Sequence, residues 1–383
     1  MKKTLLAAAL SASFSGFVQA ETSVTLYGIV DTGIGYNDAM VGYNQIEGKN
    51  VSESTNTRIG FVNGIQSGSH WGLRGSEDLC DGLSASFILE GGFTMRSGKI
   101  GQEGRLFAHR ATVGLSSDSL GSFSLGRQSN IASRYFRNID PFKLSFDQAS
   151  LGLGIGSTNS VVYDNMAVYQ TPSINGFQLG IGYSFDVSDK DAWSSTGNDQ
   201  TFTAGLLYED GPLTIAASYD SATTSKNISG DSKDKDINPH TYALGASYDF
   251  EIVKLSMAYG RTNDGWLGSM KAAGMHLKDK PTYPIAVKDD FSANSYMVGL
   301  TAPLGTSGNV FTSWQHIASS NEKHFYASNP IESKQPMNVY SVGYTYELSK
   351  NTNLYAFGSH ISDYYFIDNA KSSGLGVGIR HRF

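Results

Sequence analysis

Leu375-Gly376-Val377-Gly378-Ile379-Arg380-His381-Arg382-Phe383, the last nine residues of the sequence, alternate apolar with small or charged side chains. Successive side chains of a β-strand point to opposite faces, so Leu375, Val377, Ile379, His381 and Phe383 share one side. Gly376, Gly378, Arg380 and Arg382 share the other. Working outward, Phe177, Leu179, Ile181, Tyr183 and Phe185 oppose Gln178, Gly180, Gly182 and Ser184, and Leu213, Ile215, Ala217 and Tyr219 oppose Thr214, Ala216 and Ser218. Segments of roughly ten residues with one greasy and one small or polar face recur along the chain, at the period of a two-faced strand.

A β-sandwich produces the same alternation, so the connections discriminate. Short turns recur at 78–82, 116–121, 173–176, 209–212, 249–251, 303–308 and 349–351, rich in residues that suit tight turns. Between them lie longer polar stretches near 37–67, 94–105, 129–162, 187–200, 221–239, 263–290, 320–335 and 362–372. Strict alternation of seven short with eight long connections predicts an all-β fold, a 16-stranded antiparallel transmembrane β-barrel with both ends on the short-turn side. Closure satisfies every backbone hydrogen bond in lipid, and a barrel of that size encloses an aqueous channel.

The ends and the composition agree. Lys2 and Lys3, the apolar stretch Leu5–Leu10 and the ending Val18-Gln19-Ala20 have the layout of a secretory signal peptide, with Ser11, Ser13 and Ser15 interrupting any membrane helix. Residues 1–20 are therefore expected to be a cleaved leader and residues 21–383 the barrel domain. Gly 43, Tyr 21 and Phe 20 against Pro 9 and 17% charged residues disfavour helices and favour strands. Cys80 is the only cysteine, which excludes an intramolecular disulfide. The net charge of −6, or −8 without Lys2 and Lys3, argues against a nucleic-acid partner. Aromatics gather near expected strand ends at Tyr183, Phe185, Tyr219, Tyr248, Phe250, Tyr259, Tyr344 and Tyr346, as interfacial girdles require.

Four blocks carry a family resemblance: Leu26-Tyr27-Gly28-Ile29-Val30-Asp31-Thr32-Gly33, Trp71-Gly72-Leu73-Arg74-Gly75-Ser76-Glu77-Asp78-Leu79, Leu125-Gly126-Arg127-Gln128, and the ending Val377–Phe383. Together they resemble the general porins of Neisseria, Bordetella, Burkholderia and their relatives, from the first strand to the last. The resemblance implies a Gram-negative outer-membrane protein surrounded by lipid and a homotrimer of barrels. In each, the third surface loop folds inward to narrow a pore for passive diffusion of ions and small hydrophilic solutes. The matching connection is 129–162, whose Phe136, Phe142, Leu144, Phe146, Leu151, Leu153 and Ile155 are hard to leave in solvent. The chain departs from the family pattern at His70 and His109, at Val162, where an arginine is missing, and at Cys80.

The expected constriction pairs wall charges with loop charges across a narrow passage whose low-dielectric sides concentrate the field. Strand parity turns His70, Arg74 and Arg110 to the lumen, and the loop offers Arg134, Arg137, Asp140, Lys143 and Asp147. The same arginines could instead pin the loop by pairing with its aspartates. A positive cluster thinned at His70 and Val162 predicts weaker anion preference than a full arginine cluster, with a pH-dependent component from the histidine. No catalytic, zinc, calcium or phosphate-loop motif is present, so neither an enzyme nor a cofactor or metal centre is expected. A substrate-specific channel, or a surface receptor or adhesin using loops 221–239 and 263–290, stays open as the second reading.

Overall fold

The computed structural model describes residues 23–383 except 42–53, 102–103, 161, 188–197, 224–237, 269–284, 321–334 and 367–368. The expected leader, residues 1–20, lies outside the described residues. The strands are β1 (Ser23–Val41), β2 (Ser54–Asn63), β3 (His70–Asp78), β4 (Leu83–Gly92), β5 (Arg110–Ser117), β6 (Gly121–Ser129), β7 (Val162–Gln170), β8 (Phe177–Ser184) and β9 (Gln200–Asp210). They continue with β10 (Leu213–Thr223), β11 (His240–Asp249), β12 (Lys254–Leu267), β13 (Ile285–Leu304), β14 (Gly308–Ser319), β15 (Met337–Glu347), β16 (Thr352–Ser362) and β17 (Lys371–Arg382).

All belong to one antiparallel sheet closed by the pairing of β1 with β17, and the Gly28 and Phe383 backbones exchange hydrogen bonds at the seam. These 17 segments make a 16-stranded barrel, because β2 and β3 are the two halves of one broken stave. β2 pairs with Thr32–Val41 of β1, and β3 pairs with Ser23–Ile29 of the same strand. The seven short turns join consecutive strands as expected.

Two of the long connections, expected at 37–67 and 263–290, are partly strand. Residues 37–41 and 54–63 are strand rather than loop, β12 reaches Leu267 and β13 begins at Ile285. Above the lipid both strand faces can be polar, so the ladder continues where the hydrophobic alternation that signals it has ended.

The greasy faces point outward. Leu375, Val377 and Ile379, Phe177, Leu179 and Ile181, and Val113 and Leu115 are exposed on the outer wall, while their alternates face the interior. An apolar belt of this extent belongs against hydrocarbon. Outer aromatics pair across strands, as in Tyr219–Tyr242 at 5.0 Å and Tyr259–Tyr296 at 5.3 Å between ring centres.

Candidate functional site

The connection after β6 folds into the barrel. It opens with a short helix, α1 (Ile131–Tyr135), whose Asn130 cap accepts a hydrogen bond from the Ser133 amide at 3.2 Å. From there the chain runs along the inner wall, and glycines make room for it. A Cβ on Gly180 would lie 2.6 Å from Ile131, on Gly245 2.8 Å from Phe136, and on Gly260 2.8 Å from Ile155. Phe142 and Phe146 pack with Phe311, Tyr355 and Phe357, with Phe146 ring centres 5.5–5.8 Å from Phe142, Phe311, Tyr355 and Phe357. Leu153 joins a second cluster with Trp266, Phe291, Tyr364 and Phe366, to which the connection after β16 contributes.

Polar contacts set the loop's height. Gln315 accepts from the Gly154 amide at 3.1 Å and donates to the Ser150 carbonyl at 3.0 Å, while Ser295 donates to the Gly154 carbonyl at 2.6 Å. The loop thus lines the lumen side of β8–β17, and among the described residues it leaves the wall of β3–β5 free.

Along that free wall Tyr27, Arg74, Glu90, His70 and Arg110 form one patch. The Tyr27 hydroxyl donates to Glu90 Oε1 at 2.8 Å, and the Arg74 guanidinium lies 5.0 Å from the Tyr27 ring centre. Glu90 stands opposite Arg110 in the register, and its Oε1 is 4.0 Å from His70 Nε2. His70 Nδ1 is 2.8 Å from the Gly68 carbonyl, and its ring lies 5.3 Å from that of His109. Burial, with His70 beside it, holds His109 below the ordinary imidazole range. Arg137, Lys143 and Asp147 are exposed on the loop.

A closed barrel carrying an inward loop opposite a charged wall narrows the choice of family, and the profile described as Gram-negative porin matches residues 6–363. The chain belongs to the Gram-negative porin family. An outer membrane porin protein of Bordetella pertussis is 49% identical over 410 residues, covering 100% of both chains. The solved structure of an anion-selective porin from Comamonas acidovorans is 26% identical, with a TM-score of 0.70 over 95% of this chain and 100% of that one. OmpT of Vibrio cholerae in its trimer form, 13% identical, shares the fold with a TM-score of 0.59 over 94% of this chain and 99% of its own. This porin is therefore an outer-membrane channel.

Two loop residues expected at the aperture of this porin are placed elsewhere. Asp140 is 2% exposed and caps the loop from within, accepting from the amides of Phe142, Leu144 and Leu151 at 2.9–3.0 Å. It presents no charge to a solute, and burial pushes its carboxyl up to about 6. Arg134 donates to Gln170 Oε1 at 2.6 Å, to Gln128 Oε1 at 2.8 Å and to the Ser129 carbonyl at 3.3 Å, so it fastens the loop root to the wall. Burial and nearby Arg110 push its guanidinium down to about 10, where it still carries its charge at neutral pH. Arg105 and Arg127 hold Asp164 of β7 at 2.7 and 2.6 Å, and His70 lies 4.0 Å from Glu90.

Tyr27 and Glu90 join the patch although neither was among the expected constriction residues. Parity could have found Glu90, because Ser84, Ser86, Ile88 and Glu90 share the face of β4 opposite Leu83, Ala85, Phe87 and Leu89. Among the described residues no group of three His, Cys, Asp or Glu side chains is placed to hold a metal ion.

Proposed function

We propose that this porin is a general diffusion channel with an anion preference, and that its constriction is set by His70, Arg74 and Arg110 on the wall and by Arg137, Lys143 and Asp147 on the loop. The observation that carries the reading is the balance of charge on the lumen side. Among the residues assigned to the constriction and the neighbouring Glu90, the cations Arg74, Arg110, Arg137 and Lys143 outnumber the carboxylates Glu90 and Asp147, and Arg110 Nε is buried with no protein acceptor. Cations between low-dielectric walls raise the local concentration of anions and lower the barrier to their passage. The anion selectivity named for the Comamonas acidovorans relative supports the same sign.

Glu90 tempers the preference, since it lies amid the wall cations and draws on His70 and Tyr27. The working unit is a homotrimer in outer-membrane lipid, exported with residues 1–20 as a cleaved signal peptide. The trimer form of the Vibrio cholerae relative and the leader-like N-terminus support these points. Small hydrophilic anions and neutral solutes pass without any chemical step.

The test is planar-bilayer recording in a tenfold salt gradient. A reversal potential of the anion-selective sign, together with a smooth size cut-off in liposome swelling, is the expected result. Cation selectivity would overturn the charge assignment. Saturation of swelling for a single solute would replace general diffusion by a substrate-specific site.

A further inference from the structure

The broken stave places a second inward element at the aperture. Between β2 and β3 the chain leaves the wall at Gly64, whose φ of +67° is a conformation glycine adopts without strain, and returns at His70. The break removes ladder partners from the middle of β1, and the excursion replaces them. The Gly64 amide and the Ser69 hydroxyl both donate to the Asp31 carbonyl at 3.0 Å, and Ser69 Oγ accepts from the Asp31 amide at 3.0 Å.

The excursion lies on the lumen side. Ile65 is 3% exposed in the cluster of Phe142, Phe146, Phe311, Tyr355 and Phe357, against the inner face of Gly376. Asp31, fully buried, holds its far end, with one carboxylate oxygen accepting from the Ser67 amide at 2.7 Å and the other from the Tyr355 hydroxyl at 2.6 Å. Arg380 donates to Ser67 Oγ at 3.2 Å and to Asn353 Oδ1 at 3.1 Å, and Asn353 donates to Gln66 Oε1 at 2.8 Å. Gly68 stays exposed, and its carbonyl is the partner of His70 Nδ1.

We propose that Gly64–Ser69 is a second lip of the aperture, built from the barrel wall, and that Asp31 is the residue that positions it. The inference rests on the channel reading but not on the anion preference. One end of the lip lies in the buried cluster that holds Phe142 and Phe146 of the inward loop, and the other meets His70 of the charged patch through the Gly68 carbonyl, so it joins the two halves of the constriction. A short segment locked by a carboxylate, a guanidinium and a buried isoleucine is rigid, so it limits the opening without gating it.

The test puts a thiol on the lip. Gly68→Cys in a Cys80→Ser background, recorded before and after a small sulfonated methanethiosulfonate reagent, should lose roughly a third of its single-channel conductance as the added group fills the passage. Cys80→Ser alone should be unaffected. Complete labelling by mass spectrometry with unchanged conductance would overturn the lip. The positioning role is read separately from Asp31→Asn and Asp31→Ala. Both should show larger conductance with added open-channel noise, stronger in Ala, while heat-modifiable migration in gels confirms an intact barrel. Wild-type conductance and noise in both folded variants would remove Asp31 from that role. Loss of anion selectivity with retained sensitivity to the reagent would count against the charge reading and leave the lip standing.

Discussion

Phe146 is the place to test whether the inward loop is held by its own side chains. Its ring has four aromatic neighbours at 5.5–5.8 Å, and only 3% of it is exposed. Truncating such a phenylalanine to alanine costs about 3–5 kcal/mol. The backbone ladders that close the barrel do not depend on this residue, so the cost falls on docking of the loop rather than on the fold. At the lower bound the docked-to-released ratio drops by roughly a hundredfold. The residue also sits at a φ of +60°, which favours glycine. Phe146→Gly should therefore recover about 1 kcal/mol relative to Phe146→Ala. Phe146→Leu should cost less than either.

Single-channel recording is the assay. Phe146→Ala should open to a larger and noisier conductance, and limited proteolysis should cut between residues 140 and 150, where the wild type resists. Phe146→Leu should lie between. Wild-type conductance, noise and protease resistance in a correctly folded Phe146→Ala would refute the claim that aromatic burial fixes the loop.

Arg74→Ala and Arg110→Ala should each move the reversal potential toward the cation side in a salt gradient, and Glu90→Gln should move it toward the anion side. Burial raises the Asp140 carboxyl from 3.8 to about 6, so the docked loop favours the protonated acid. Its contribution is complete below about pH 4 and is lost as pH rises through 6, a swing of about 3 kcal/mol. Proteolysis of the loop should therefore slow on acidification from pH 8 to pH 5. Asp140→Asn, which leaves one oxygen for three amide donors, should speed cleavage and abolish that pH dependence. Gly245→Val places a Cβ against Phe136, 2.8 Å from its ring, and should push the loop into the passage. Lower conductance with unchanged barrel stability is expected, and an unchanged conductance would show that the wall yields instead.

The barrel was legible in the residues alone. Alternation in segments such as Phe177–Phe185 and Leu375–Phe383 needs only the two-residue period of a strand. The seven tight turns need only local chemistry, and an even set of two-faced strands with no edge has one closed solution in lipid. The burial of the loop's Phe136, Phe142 and Phe146 was also legible, because that much apolar surface requires cover. Where individual charges go depends instead on long-range packing. Asp140 turned inward to three amides, Arg134 spent its donors on two glutamines, and Glu90 entered the cationic patch. The broken stave was hidden as well, since its polar run reads like any surface loop until Asp31, Asn353 and Arg380 close around it. Facing lipid or water is a property of neighbours in the chain, whereas the orientation of a charged side chain is settled by partners as much as 324 residues away, through contacts that carry no local pattern.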